Sequence, residues 1–342
     1  MHSISTKKHN KPYISVVIAV YNVEKYIARC CQSLFRQTLE NIEYIFVDDC
    51  SPDNSIEIVQ SVLNDYPQRT NQVKIIKHST NRGVSKTREE GIKNATGEYI
   101  IHCDPDDWIE LDMYERLYNK AVTEKADIVL CDLWYHYYND PISYYGKEEP
   151  KEKTSRSVLA SCLHAQFPLM NCYLWNKMVK ANCYSDVKWP DKISFCEDVI
   201  ACVQLFKKND LRISYEGKAF YHYAIKEESL SHRRHTKQDI ENDYTVISIL
   251  YSCLCDSNDM EMHRIWQACV TGFMVSTLEA PERYYTNKEY TERYRKYRNC
   301  IGKNLEFSKS KKALLYVATY NYWMAFTIFK VGKQLRSLFR MC

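Results

Sequence analysis

The 342-residue chain has no C-x-x-C pair among its 15 cysteines, no low-complexity block and no internal repeat. Zinc sites and small disulfide frameworks need closely spaced cysteine pairs, and solenoids need a repeat, so these classes are set aside. Charge of one sign is also scarce. The 47 Lys and Arg against 43 Asp and Glu leave a net +4, too little to argue for a nucleic-acid partner. Met1 to Lys11 is polar and lacks the apolar core of a signal peptide, and scattered thiols read as small hydrophobes in reducing surroundings; the expectation is a cytoplasmic protein. Two phosphate-cradling motifs are missing as well. No G-x-G-x-x-G follows the first apolar run and no G-x-x-x-x-G-K-[ST] occurs, which argues against dinucleotide enzymes and P-loop ATPases. Phosphates, if bound, must then be neutralised by a metal.

What is present is globular: 45% hydrophobic and 26% charged, with 28 tyrosines. Such rings line carbohydrate or nucleotide sites, and they also build cores and membrane-interface belts. The length suits two domains, or one with an appendage.

Apolar runs at 14–21, 42–47, 73–77 and 99–103 read as buried strands, with helical segments at 24–35, 55–63 and 85–93 between them. This alternation predicts an α/β fold with a parallel sheet and covering helices, in which ligands bind beyond the carboxyl ends of the strands. Those ends carry Tyr21-Asn22, Asp48-Asp49 and Asp104-Pro105-Asp106-Asp107. The proline fixes its own φ and pushes Asp104 towards an extended conformation, so the fourth strand stops in a defined turn. Three clustered carboxylates call for a cation, and oxygen-only ligands suit Mg²⁺ or Mn²⁺. Asp106 or Asp107 reads equally as an N-cap for a helix over 111–125. The missing glycine cradles tilt the balance towards metal.

Ser15-Val16-Val17-Ile18-Ala19-Val20-Tyr21-Asn22, Val47-Asp48-Asp49-Cys50-Ser51-Pro52-Asp53, Asn81-Arg82-Gly83-Val84-Ser85-Lys86-Thr87-Arg88 and Asp104-Pro105-Asp106-Asp107-Trp108 stand in an order that resembles the family 2 glycosyltransferases. The resemblance continues to Leu174-Trp175-Asn176-Lys177-Met178 and Phe195-Cys196-Glu197-Asp198, covering about residues 12 to 230. It implies an inverting, metal-dependent enzyme of GT-A fold, with a Rossmann-like mixed sheet flanked by helices. It also implies residue roles. Tyr21 matches the aromatic on the nucleotide base, Asp49 the acceptor for the uracil imide, and Arg88 an arginine near base and phosphates. Asp104, Asp106 and Asp107 match the D-x-D cluster holding the diphosphate metal. Glu197-Asp198 matches the pair whose aspartate deprotonates the acceptor hydroxyl. Cys50 and Cys196 stand where glycine is usual, and Thr87-Arg88-Glu89 replaces Ala-Arg-Asn.

Each role has a plainer counterpart. Tyr21 could pack in the core, Asp48 serve a turn, Arg88 pair with a neighbouring glutamate, and Glu197-Asp198 cap the helix at 199–206. Trp175-Asn176-Lys177 reads as structural as readily as acceptor-facing. Strands are expected at 211–215 and 219–224, then a basic loop where Arg233 or Arg234 could meet a diphosphate and where His232, like His222, could approach the metal.

From Thr236 onwards apolar spacing is helical, giving a domain at 12–235, a helical C-terminal region at 236–342, and a polar tail at 1–11. Residues 313–329 are apolar and aromatic and precede Lys330, Lys333, Arg336 and Arg340. The run is short for a span of about 20 residues. It suits a helix on an anionic membrane surface, or one packed on protein.

The function expected is transfer of a sugar from a UDP-sugar to a glycan or lipid-linked saccharide hydroxyl in cell-surface polysaccharide synthesis, with Mn²⁺ or Mg²⁺ and with Asp198 as base. The alternatives are a non-catalytic nucleotide-sugar-binding scaffold subunit, or a glycoside hydrolase using paired carboxylates.

Overall fold

The strand Ile14–Val20 (β1) is buried along nearly its whole length, and its alternating side chains face two helical layers. Val16 and Ile18 join a core with residues of helices Ile27–Phe35 (α1), Ser55–Asn64 (α2) and Met113–Glu124 (α4). Val17, on the opposite face, meets Gly91 of helix Val84–Lys93 (α3), where a Cβ would collide with it. Gly97 is as constrained: a Cβ there would lie 2.6 Å from the Ser15 backbone nitrogen.

The computed structural model describes residues 11–137, 140–164, 172–191, 193, 195–208, 210–226, 237–255, 259–280, 283–304 and 307–339. The basic loop at 227–236, with His232, Arg233 and Arg234, lies outside them. Two compact units share the chain. One comprises Met1–Ser157, Tyr173–Ile193 and Gln204–Lys226; the other comprises Val158–Cys172, Ser194–Val203 and Glu227–Cys342. The units interleave in sequence, whereas the sequence reading places one break at 235/236.

Among the described residues the first unit holds a nine-stranded sheet. Ile42–Asp48 (β2), Val73–Lys77 (β3) and Tyr99–His102 (β4) run parallel to β1, in the order β3-β2-β1-β4. Beyond β4 the order continues through Lys177–Lys180 (β8), Ile128–Tyr137 (β6), Ile213–Ile225 (β9) and Trp108–Ile109 (β5), with Ser143–Gly146 (β7) pairing β6. β8 is antiparallel to both neighbours, whereas β6 and β9 are parallel. The two strands expected at 211–215 and 219–224 are therefore one. The Gly217-Lys218 segment, which looks like a turn, falls where the β6–β9 register shifts around Asp132, and a bulge absorbs it.

The second unit is helical. Ser155–His164 (α5) and Glu197–Phe206 (α6) each cross from one unit to the other; Lys237–Leu254 (α7), Met260–Glu279 (α8), Asn287–Tyr294 (α9), Arg298–Lys303 (α10), Lys309–Ala318 (α11) and Tyr322–Phe339 (α12) follow. α8 is buried over almost all of Ile265–Leu278, and Asp259 caps it by accepting from the Glu261 and Met262 N–H groups. Tyr290 and Tyr322 stack 4.5 Å apart beside it in the same core. The apolar run expected at 313–329 is two helices, broken between α11 and α12. Among the described residues no helix is long and apolar enough to cross a membrane.

Candidate active site

Parallel pairing brings the carboxyl ends of β1, β2 and β4 to one edge. Val20 pairs with Asp48 and Val17 with His102, and the Asp49 N–H donates to the Val20 carbonyl at 2.9 Å. Tyr21 leaves β1 at this edge 48% exposed, so its ring is available for stacking rather than spent in the core. Asn22 turns the chain at φ 54°, its N–H held by Ser51 Oγ at 2.8 Å.

Asp48 and Asp49 have separate tasks. Asp48 Oδ1 accepts from the Ser51 N–H at 2.8 Å, closing a turn. Asp49 is only 3% exposed; its Oδ1 meets His78 Nδ1 at 2.7 Å and the Arg82 N–H at 2.8 Å, and its Oδ2 accepts from the Gly83 N–H at 2.8 Å. The carboxylate thus clamps the Arg82-Gly83 turn against β2. Cys50 follows in the left-handed region at φ 59°, a conformation suited to glycine.

The turn after β4 separates its three carboxylates. Asp104 Oδ1 is 2.8 Å from Arg88 Nη2, reached from α3, while Glu89 pairs with Lys86 and Lys93 instead. Asp106 Oδ2 is 2.9 Å from Lys226 Nζ at the end of β9. Both carboxylates are partly exposed, at 28% and 30%. Asp107 is fully buried. Its oxygens accept from the Tyr221 hydroxyl and the Ala224 N–H, each at 2.8 Å, so it fastens the turn to β9. Burial, followed by the charges of Asp106 and Asp104, pushes its carboxyl well up, against the pull of those two hydrogen bonds. None of the three caps a helix: α4 begins at Met113, with Asp112 before it. Arg29 lies over the Trp108 ring at 3.6 Å and donates to the Asp106 carbonyl at 3.1 Å. Lys226 and Arg29 are cations beside this turn that no local pattern in the sequence marks. Among the described residues no three His, Cys, Asp or Glu side chains form a metal-binding group.

His222 faces the other way round the turn. Its Nδ1 is 2.9 Å from His136 Nε2 and its Nε2 is 3.0 Å from Glu110 Oε1, and the ring stacks on Trp108 at 4.9 Å. Trp175, Asn176 and Lys177 are buried: Trp175 stacks on Tyr221 at 4.0 Å, Asn176 donates to the Cys131 carbonyl, and Lys177 donates to the Tyr173 carbonyl at 2.7 Å.

Within the second unit, Glu197 and Asp198 form the first turn of α6, where carboxylates are favoured by the unpaired N–H groups. Asp198 Oδ1 accepts from the Val199 N–H at 2.8 Å. Cys196 precedes them at φ 68°, and burial, then Asp243 and the two adjacent carboxylates, push its thiol well up.

Residues 15–175 match the family model described as glycosyl transferase family 2. This region is similar to that family. The uncharacterized glycosyltransferase EpsJ of Bacillus subtilis is 31% identical over 224 residues, covering 64% of this chain and 63% of that protein; the chain therefore spans less than two thirds of this relative. In structure, Staphylococcus aureus TarS (residues 1–349, in complex with UDP-GlcNAc) superposes with a TM-score of 0.71 at 18% identity, over 94% of this chain and 91% of that one. A mannosyltransferase from Pyrobaculum calidifontis, in complex with GDP-Man and Mn²⁺, gives 0.53 at 13% identity, over 96% and 88%. At such identities the likeness is one of fold, and the fold is that of the GT-A glycosyltransferases. The family 2 motifs map onto the strand-end edge: Tyr21, Asp49 and Asp104 follow β1, β2 and β4 in turn.

Proposed function

We propose that the chain is an inverting glycosyltransferase that moves a hexose from a UDP-sugar to the hydroxyl of a glycan or lipid-linked saccharide. The observation carrying this reading is the strand-end edge, where an exposed tyrosine, a clamped carboxylate and two partly exposed aspartates stand together. The match of residues 15–175 to the family 2 model supports the reaction class. Tyr21 stacks on the base. Asp49 Oδ1 already meets two partners and Oδ2 accepts one hydrogen bond, and a carboxylate oxygen has two lone pairs; Oδ2 therefore has room for the uracil imide N–H. Arg88, fixed against Asp104, is the arginine that this reading assigns to the phosphates.

Asp104 and Asp106 fit Mg²⁺ or Mn²⁺. Both are hard oxygen donors with access to solvent, and Mg²⁺ characteristically takes one or two carboxylates and completes its shell with water and substrate phosphates. Asp107, with both oxygens held by β9, serves this reading by setting the turn. A cation bound there supplies positive charge for the departing diphosphate. Asp198 takes the proton of the acceptor hydroxyl as it attacks the anomeric carbon in line.

The C-terminal unit supports peripheral association with an anionic membrane, where lipid-linked acceptors reside. Trp323, Met324, Ile328 and Val331 of α12 are about half-exposed, and Lys333 lies beside them, whereas Lys330 turns inward to donate to the Ala280 carbonyl. The test of the whole reading is a panel of nucleotide-sugars scored for Mn²⁺-dependent release of the nucleoside diphosphate. UDP release from one UDP-sugar, abolished by chelation, is expected. Sugar release insensitive to EDTA, or turnover of GDP-sugars only, would overturn it.

A further inference from the structure

We propose that Lys226 is a diphosphate-binding residue that competes with a divalent cation for Asp106, so that metal and sugar-nucleotide donor bind together rather than in turn. This rests on the nucleotide-sugar reading of the strand-end site. The Lys226 ammonium lies 2.9 Å from Asp106 Oδ2 and 3.2 Å over the centre of the Tyr26 ring, with its side chain 12% exposed. The Tyr26 ring face and the Asp106 carboxylate both hold it at this point. A structural ion pair at this point would be redundant. Asp107 already ties the same turn to the same strand through the Tyr221 hydroxyl and the Ala224 N–H, and Arg29 holds the Asp106 carbonyl from the α1 side. Lys226 instead meets the carboxylate that faces solvent at the ligand edge.

The pairing of Lys226 with Asp106 has a consequence for cation binding. A cation arriving alone has to share Asp106 with an ammonium. A cation arriving with the diphosphate does not, because the ammonium can turn to a phosphate oxygen. When the glycosidic bond to the donor breaks and the electron pair stays on the diphosphate, Lys226 is already beside the added charge.

The test is Mn²⁺ binding to the full-length protein, read from the free-ion paramagnetic resonance signal, with no nucleotide, with UDP and with inorganic pyrophosphate. Wild-type protein should take up Mn²⁺ about tenfold or more tightly when either diphosphate is present. Lys226→Met should bind Mn²⁺ alone about tenfold more tightly than wild type, yet bind UDP and pyrophosphate at saturating Mn²⁺ about tenfold less tightly. Lys226→Arg should restore wild-type behaviour, which a merely misfolded variant would not allow. Unchanged or weakened Mn²⁺ binding by Lys226→Met overturns the inference, as does unchanged pyrophosphate affinity. Should pyrophosphate show the full Lys226 dependence while no uridine nucleotide binds, the donor assignment falls and the role of Lys226 stands.

Discussion

Glu148 offers a pH test of the sheet that carries the site. It follows β7, its N–H donates to the buried Asp132 at 2.7 Å, and its carboxyl faces Lys177 and Asn176. Burial pushes that carboxyl from 4.5 up to about 7, with Asp132 adding to the shift while Lys177 and the Asn176 hydrogen bond oppose it. The sign follows from linkage. In the unfolded chain the group ionises at its ordinary value, whereas the folded chain keeps the proton until about pH 7. The contribution to stability is therefore complete below pH 4.5 and is lost as pH rises to about 7. The size is the shift of roughly 2.5 pH units times 1.36 kcal/mol, or about 3 kcal/mol as an upper bound. Glu148→Gln keeps the shape and a hydrogen-bonding oxygen and cannot ionise, so this part of the pH dependence should vanish.

The assay is urea unfolding of both proteins at pH 4.5, 6 and 7.5, followed by tryptophan fluorescence. The difference between variant and wild type cancels every other titrating group that the substitution leaves alone. The variant should gain on wild type by up to about 3 kcal/mol between pH 4.5 and 7.5. Parallel pH profiles, or a wild type that gains on the variant as pH rises, would show Glu148 ionised against Lys177 and refute the reasoning.

Three further outcomes are expected. Asp106→Ala should weaken UDP binding and remove its Mn²⁺ dependence, whereas Asp198→Asn should keep metal-supported UDP binding and lose about 10²–10⁴-fold in transfer rate, as calorimetry and transfer assays would show. Cys50→Gly should leave stability unchanged or raise it by up to about 1 kcal/mol in thermal unfolding, since the left-handed backbone at φ 59° no longer strains a side chain; a clear loss would mean the exposed thiol matters to packing. Met324→Glu with Ile328→Glu should abolish flotation with anionic vesicles at low salt while UDP binding persists, and wild-type protein that ignores such vesicles would make α12 a protein-packing surface.

The part of the site legible in the sequence is the part written by strand periodicity. β1, β2 and β4 are largely apolar runs, and each ends at the edge, so the placement of Tyr21, Asp49 and Asp104 there is readable from local pattern, while the roles proposed for them come from the family resemblance. Roles set by long-range pairing were not legible. Asp106 and Asp107 are adjacent and chemically identical, yet one is partly exposed beside Lys226 and the other is sealed by β9. What separates them is the strand Ile213–Ile225, more than a hundred residues away in sequence, and its bulge disguised it as two strands. β6 is hard to read from the sequence for a related reason. Its Asp132 interrupts an otherwise apolar run, and only the fold shows that the hydroxyls of Tyr145 and Tyr215 satisfy that carboxylate.

Cys50 and Cys196 join the two kinds of information. Both stand where the family resemblance expects glycine, and both have positive φ. The backbone geometry of these two turns is therefore kept without the residue that makes it easy. A left-handed non-glycine residue persists only where its surroundings over-determine it. At Cys50 the surroundings are the Asp48 turn and the Asp49 clamp. At Cys196 they include the first turn of α6, which presents Glu197 and Asp198. The strain thus falls beside the two carboxylate sets that the proposed reaction uses, one for the donor and one for the acceptor, and it gives those turns a reason to be rigid where the chemistry needs fixed distances.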